Sequence, residues 1–202
     1  MNRSIAIVLG VFALLSVAVA LGWLVPIDTA AINAMVAIRS SMLTEVAVNF
    51  TSLGSAPVVS VGVAVVVLYC IAASRPRFAL AMLGTPLAFL LCTLVKLIVH
   101  RPRPTEALIL VPSTFAFPSG HAAAATSLFL TMALLAAKGE RRLGPRRVII
   151  AAGLGIALMV AWSRVYLGVH YFSDVVGGML LGLAATVGAL EVVKRADGQI
   201  VV

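Results

Sequence analysis

In this chain of 202 residues, His170 and Asp174 stand four positions apart. If that stretch is helical, the carboxylate lies one turn above the imidazole. An aspartate in that place fixes the ring's tautomer, frees the other nitrogen to attack an electrophile, and stabilises the positive charge that then develops. Arg164 precedes the pair by six residues. Upstream, Pro118-Ser119-Gly120-His121 has the make-up of a helix start, whose free N–H groups and dipole can hold an anion with an imidazole beside it. Further upstream, Lys96 and Arg103 are seven residues apart. Pro102 and Pro104 argue against a helix running through that segment, so a bend could bring both cations to one ligand. Cations and an anion-binding turn gathered in this way suggest a polyanionic ligand. Taken singly, each cluster also has an ordinary reading: cations snorkelling to lipid headgroups, a capped helix start, or an interfacial His/Asp pair closing a turn.

The elements that must position these groups follow from composition. The chain is 62% hydrophobic and 11% charged, too apolar for one water-soluble core of this size. A bilayer must cover the excess. Apolar runs occur near Ile5 to Val25, Ala56 to Ala73, Phe78 to Ile98, Ser119 to Ala137, Val148 to Tyr166 and Val175 to Val193. Each approaches the ~20 residues a helix needs to cross ~30 Å of hydrocarbon. The runs are continuous rather than alternating, which excludes an outer-membrane barrel and predicts an all-α bundle of six spanning helices. Asn2-Arg3 and Ala18-Val19-Ala20 give the first run some likeness to a cleavable leader, but the run is longer than a leader's usual core and reads as a span.

Threading six helices places Arg3, Arg75, Arg77, Lys138, Arg141, Arg142, Arg146, Arg147, Lys194 and Arg195 on one side, ten of the 15 basic residues. By the positive-inside rule that side is cytoplasmic and holds both termini. The other five, Arg39, Lys96, Arg101, Arg103 and Arg164, fall on the outer side together with His100, His121, His170 and Asp174. Ionisable groups gathered at membrane depth mark function. The threading used no motif residue, yet it delivers all three clusters to one face. The net charge of +8 is therefore topology on one side and a polyanion site on the other, not a nucleic-acid surface.

Other features carry less. Cys70 and Cys92 lie in separate apolar runs and support neither a disulfide nor a thiolate metal site. No repeat, low-complexity tract or second domain is visible, so residues 1–202 read as one domain. Pro26 to Ser55 suggests a helix lying on the membrane surface with no direct part in the chemistry. Gly178 and Gly182 have the spacing of close helix packing.

At these residues the chain resembles the type 2 phosphatidic acid phosphatase family. Its signature, K-x6-R-P, P-S-G-H and S-R-x5-H-x3-D, is matched without substitution by Lys96 and Arg103-Pro104, by Pro118-Ser119-Gly120-His121, and by Ser163-Arg164, His170 and Asp174. The resemblance spans Lys96 to Asp174. It implies that Lys96, Arg103, Arg164, Ser119 and the N–H of Gly120 hold the phosphate, and that His170, oriented by Asp174, attacks phosphorus to form a phosphohistidine. It further implies that His121 protonates the departing oxygen and then activates water. No metal or cofactor is expected, since three cations and one well-placed carboxylate are the wrong balance for Mg²⁺. His100 and Arg101 fall outside the signature and read as accessory. The expected partner is a lipid phosphate at the outer face of the plasma membrane. Undecaprenyl diphosphate ranks first, and phosphatidylglycerol phosphate and phosphatidate are the alternatives. A phosphoryl transferase and a non-hydrolysing phospholipid-binding protein are the readings from other classes, while six spans argue against the soluble haloperoxidases that share the signature.

Overall fold

The computed structural model describes residues 3–110, 113–138, 140–196 and 198. Asn2 and the side chain of Arg77, which the charge and leader arguments drew on, lie outside the described residues. Regular structure among those residues is helical throughout: α1 Arg3–Ala20, α2 Val25–Ala37, α3 Ser41–Ser52, α4 Ala56–Ala72, α5 Pro76–Ala79, α6 Gly84–Val99, α7 Gly120–Lys138, α8 Leu143–Tyr166 and α9 Phe172–Ala196. A 3-10 turn at Leu80–Leu83 leads into α6.

Five helices are long and apolar enough to cross a bilayer, and α3 with α4 makes a sixth candidate bent by 48° at its break. The 17 residues of α4 reach only about 25 Å, short of the hydrocarbon thickness, so α4 alone falls below the length of a full span.

Gly178 and Gly182 do what their spacing predicts. A Cβ on Gly182 would stand 2.5 Å from the Ala123 carbonyl oxygen and 2.8 Å from the Thr126 Cβ, and one on Gly178 would collide with the Ser119 carbonyl. Bare backbone on α9 thus meets the alanine face of α7, where Ala122, Ala123, Ala124 and Ala125 are all buried. Without a hydrophobic drive between helices in lipid, such close van der Waals contact is what holds them together. Cys70 and Cys92 are buried free thiols on α4 and α6.

The segment Pro26 to Ser55 differs from its expectation. It forms two helices, and both are pinned to the bundle. Ser40 caps α3 by accepting from the Leu43 N–H at 3.3 Å. The Tyr166 hydroxyl at the end of α8 accepts from the Ser40 N–H at 3.0 Å. Arg39 donates to the carbonyls of Glu106 at 2.6 Å and Tyr166 at 3.3 Å. These bonds tie the turn between α2 and α3 to the end of the bundle where the clusters meet.

Candidate active site

Four helix ends meet there: the C-termini of α6 and α8 and the N-termini of α7 and α9. Helix α6 stops at His100, whose backbone is left-handed (φ 50°), and its N–H donates to the Lys96 carbonyl at 3.2 Å. The chain leaves in extended form through Arg101-Pro102-Arg103, as the prolines dictate. Lys96 then donates to the carbonyls of Phe115 and, at 3.2 Å, Ala116. Arg103 donates through Nε to the Thr114 carbonyl at 2.8 Å and through Nη2 to the Thr114 hydroxyl at 3.0 Å. Both cations thus grip one short strand of backbone, and the bend proposed for K-x6-R-P is how they reach it.

That backbone runs directly into Pro118-Ser119-Gly120-His121. The Ser119 N–H donates to the Asp174 carbonyl at 2.9 Å, so the first turn of α7 is tied to the first turn of α9. Ser119 is fully buried, and its hydroxyl accepts from the Ala122 N–H at 3.4 Å. It caps the helix beneath the cavity, whereas Gly120 and His121 line the wall.

The third cluster closes around the end of α8. Gly168 has φ 68°, and a side chain there would meet the Glu106 carbonyl and the Arg39 guanidinium. Only glycine allows the chain to turn so tightly. The turn brings the N–H groups of Val169 and His170 back to the Arg164 carbonyl at 3.2 and 3.3 Å. Six residues separate Arg164 from His170 in sequence, and the backbone closes that gap to one hydrogen bond.

His170 is 2% exposed and Asp174 is fully buried. The imidazole Nδ1 stands 3.4 Å from Asp174 Oδ2, and Nε2 stands 3.1 Å from Arg103 Nη1. Guanidinium can only donate, so Nε2 must be the unprotonated nitrogen and Nδ1 carries the proton toward Asp174. Burial, and then the charges of Arg164, Arg103 and Lys96, hold this imidazole well below its ordinary titration range. Both this shift and the Arg103 donor facing Nε2 favour the neutral ring, with its lone pair on the cavity side.

Arg164, 4% exposed on α8, donates through Nη1 to the Thr51 hydroxyl at 2.6 Å. Its Nε is buried with no hydrogen-bond partner among the described residues. A buried donor left idle costs roughly 1–3 kcal/mol.

The cavity has a volume of about 440 Å³ and is lined by Lys96, Arg103, Gly120, His121, Arg164 and His170, with Thr51, Ser52, Ser55 and Thr114 supplying hydroxyls. Asp174 lies behind His170 and does not line it. Phe89 and Thr93 are shared with a second cavity of about 700 Å³ between α4, α6 and α7, walled by Val59, Val63, Ala64, Val67 and Leu90. The polar chamber and the apolar groove thus border each other along α6. Among the described residues no three of His, Cys, Asp and Glu come together as a metal site.

Two further groups at the site went unread in the sequence. Thr51 and Asp28 sit in the segment expected to take no direct part, yet Thr51 meets Arg164 and Asp28 pairs with Arg101 at 2.6 Å. Asp28 is 1% exposed. A lone aspartate beside Pro26 reads as an ordinary helix start; its sole signal was a charge in an otherwise apolar stretch.

Comparison with known proteins identifies relatives of the chain. Residues 77–197 match the model of the PAP2 superfamily. The chain is similar to phosphatidylglycerophosphatase B of Bacillus subtilis, 35% identical over 161 residues that cover 77% of this chain and 78% of that one. It is also similar to a decaprenylphosphoryl-5-phosphoribose phosphatase of Mycobacterium tuberculosis, 36% identical over 120 residues, 57% of this chain and 60% of the other. Among solved structures it resembles the crystal structure of a transmembrane PAP2-type phosphatidylglycerolphosphate phosphatase from Bacillus subtilis. The TM-score is 0.82 at 30% identity, covering 100% of this chain and 98% of that one.

Proposed function

This chain belongs to the PAP2 superfamily of lipid phosphatases, and from that premise we propose that it is a single-domain, six-span plasma-membrane enzyme with both termini cytoplasmic. In this reading it hydrolyses a lipid phosphate or diphosphate at the outer face through a phosphohistidine. One observation carries the reading: three cations and two imidazoles line one 440 Å³ chamber, which shares Phe89 and Thr93 with a neighbouring apolar groove of 700 Å³. The chamber suits a phosphate and the groove suits the lipid chain attached to it.

The reaction proceeds in two steps. The Nε2 lone pair of His170 attacks phosphorus while Lys96, Arg103, Arg164 and the Gly120 N–H take the non-bridging oxygens, with Ser119 shaping the turn beneath. Arg103 already touches Nε2, so it must swing from nitrogen to phosphate oxygen as substrate enters. The P–O bond to the lipid breaks and His121 protonates the departing oxygen. The ring becomes cationic on attack, and Asp174 stabilises it through the Nδ1 proton. His121 then removes a proton from water, whose oxygen attacks the phosphohistidine, releases phosphate and restores neutral His170. Three cations against one nearby carboxylate suit an anionic substrate without a metal.

Purified protein is expected to release phosphate from lipid substrates in the presence of a chelator, most rapidly from undecaprenyl diphosphate, with phosphatidylglycerol phosphate and phosphatidate as the comparison lipids. Release that requires an added acceptor would indicate a transferase, and lipid binding without release would refute the hydrolase.

His121→Ala tests the acid role separately. Its loss should be about 10²- to 10⁴-fold for an alkyl phosphate and far smaller for an aryl phosphate, whose leaving group needs no proton. An equal loss for both substrates would contradict the assignment.

A further inference from the structure

Behind the chamber wall lies a second ionic cluster, of which the mechanism above uses only Asp174. Arg101 Nη1 donates to Asp174 Oδ1 at 2.7 Å, and its Nη2 donates to Asp28 Oδ2 at 2.6 Å. Asp28 also accepts from the Ser173 N–H at 2.9 Å and the Ser173 hydroxyl at 2.6 Å. The guanidinium lies 4.2 Å from the centre of the Tyr171 ring.

We propose that Asp28 and Arg101 are positioning residues for the reaction: one guanidinium bridging two buried carboxylates so that Asp174 is held ionised and aimed at His170. The inference rests on the reading of His170 as nucleophile.

The bonding pattern carries it. Asp174 has two oxygens with separate duties. Oδ2 meets His170 Nδ1 at 3.4 Å and the Tyr171 N–H at 2.9 Å, and Oδ1 meets only Arg101 among the described residues. Without Arg101, a fully buried carboxylate would lose its cation and one oxygen would have no partner. Arg101 is itself fixed at both ends, because the planar fork of its nitrogens spans from α9 to α2 in a way that a lysine's point charge could not. Asp28 additionally holds the Ser173 backbone, one residue before Asp174, so it sets both the cation and the turn of α9 that bears the carboxylate. These contacts join α2, the segment after α6, and α9, three pieces distant in sequence.

The charge balance points the same way. Two carboxylates around one guanidinium leave the cluster with one net negative charge while His170 is neutral. Attack on phosphorus makes the ring cationic and the cluster neutral. A fixed negative charge waiting where positive charge develops stabilises the transition state more than the ground state.

Arg101 does not line the phosphate chamber. It faces a separate crevice of about 250 Å³ with Asp28, Thr29, Pro102 and Tyr171. Its removal should therefore act on rate rather than on substrate binding.

The test is a double-mutant cycle in the full-length protein, with Arg101→Gln, Asp28→Asn and Asp174→Asn measured singly and in pairs, with kcat, KM and the rate of phosphate labelling on His170 as readouts. Asp28→Asn keeps the side-chain volume and carries the test if Arg101→Gln fails to fold. Arg101→Gln and Asp28→Asn should each lower kcat and labelling by about 10- to 100-fold while KM stays within about threefold. In the Asp174→Asn background each should cost less than about threefold more, because the residue through which they act is already lost. Losses that multiply in that background would indicate a merely structural tie and overturn the proposal. So would a raised KM at unchanged kcat, which would make Arg101 a phosphate ligand. A wild-type enzyme that turns over without label on His170 would overturn the underlying reading, and the inference with it.

Discussion

His170→Ala is expected to lower phosphate release by about 10³-fold or more, because the substitution removes the atom proposed to form the covalent intermediate rather than one that supports it. The protein should remain folded and membrane-inserted. Deleting a buried imidazole leaves a cavity worth about 2–4 kcal/mol, but the surrounding bonds survive: Arg103 still donates to the Val169 carbonyl at 2.8 Å, and the Ser119 N–H still meets the Asp174 carbonyl. Rapid quenching of wild-type turnover should trap labelled phosphate in an acid-labile, base-stable form at His170, and the variant should trap none. Full turnover by His170→Ala would end the nucleophile assignment whatever the other residues do.

Arg164→Ala should have the next largest effect, a loss of about 10²- to 10³-fold in kcat/KM, the scale of one oxyanion donor removed from a water-excluded site. The geometry explains why this cation outranks its neighbours. Lys96 and Arg103 are each partly spent on backbone carbonyls. Among the described residues Arg164 bonds only Thr51, through Nη1, and its Nε is buried without a partner. Arg164→Lys should recover little, since a point charge cannot replace the fork. Thermal stability is expected to move the other way. A buried cation close to Arg103 and Lys96 opposes folding when no anion is present, so the Arg164→Ala midpoint should equal or exceed that of the wild type. Inorganic phosphate should raise the wild-type midpoint and leave that of the variant unchanged. Wild-type activity in Arg164→Ala, or a clear drop in its stability, would mean that the residue is structural.

The reach of the sequence is best seen residue by residue. The pairing of His170 with Asp174 was legible because four residues make one helical turn, a local rule that needs no tertiary information. The gathering of Lys96, Arg103, His121, Arg164 and His170 was legible by another route, since hydropathy and charge order the spans and so sort the clusters by side. The placement of Ser119 was not. Its motif marks a helix start, but whether a hydroxyl there faces a ligand or its own helix depends on how α9 packs beneath it.

Asp28 and Thr51 show the limit most clearly. Each is an unremarkable polar residue in its own stretch, 73 residues from Arg101 and 113 from Arg164. Composition and periodicity describe a residue's neighbours along the chain, and these two have their partners only across it. The sequence by itself determined the solvent, the helical class and which ionisable groups gather at one end, because those follow from hydropathy, charge order and short spacings. Only the tertiary structure decided which nitrogen of His170 is free, which face Ser119 shows, and that α2 and α3 reach the site. Those features depend on long-range contacts whose geometry no local pattern encodes.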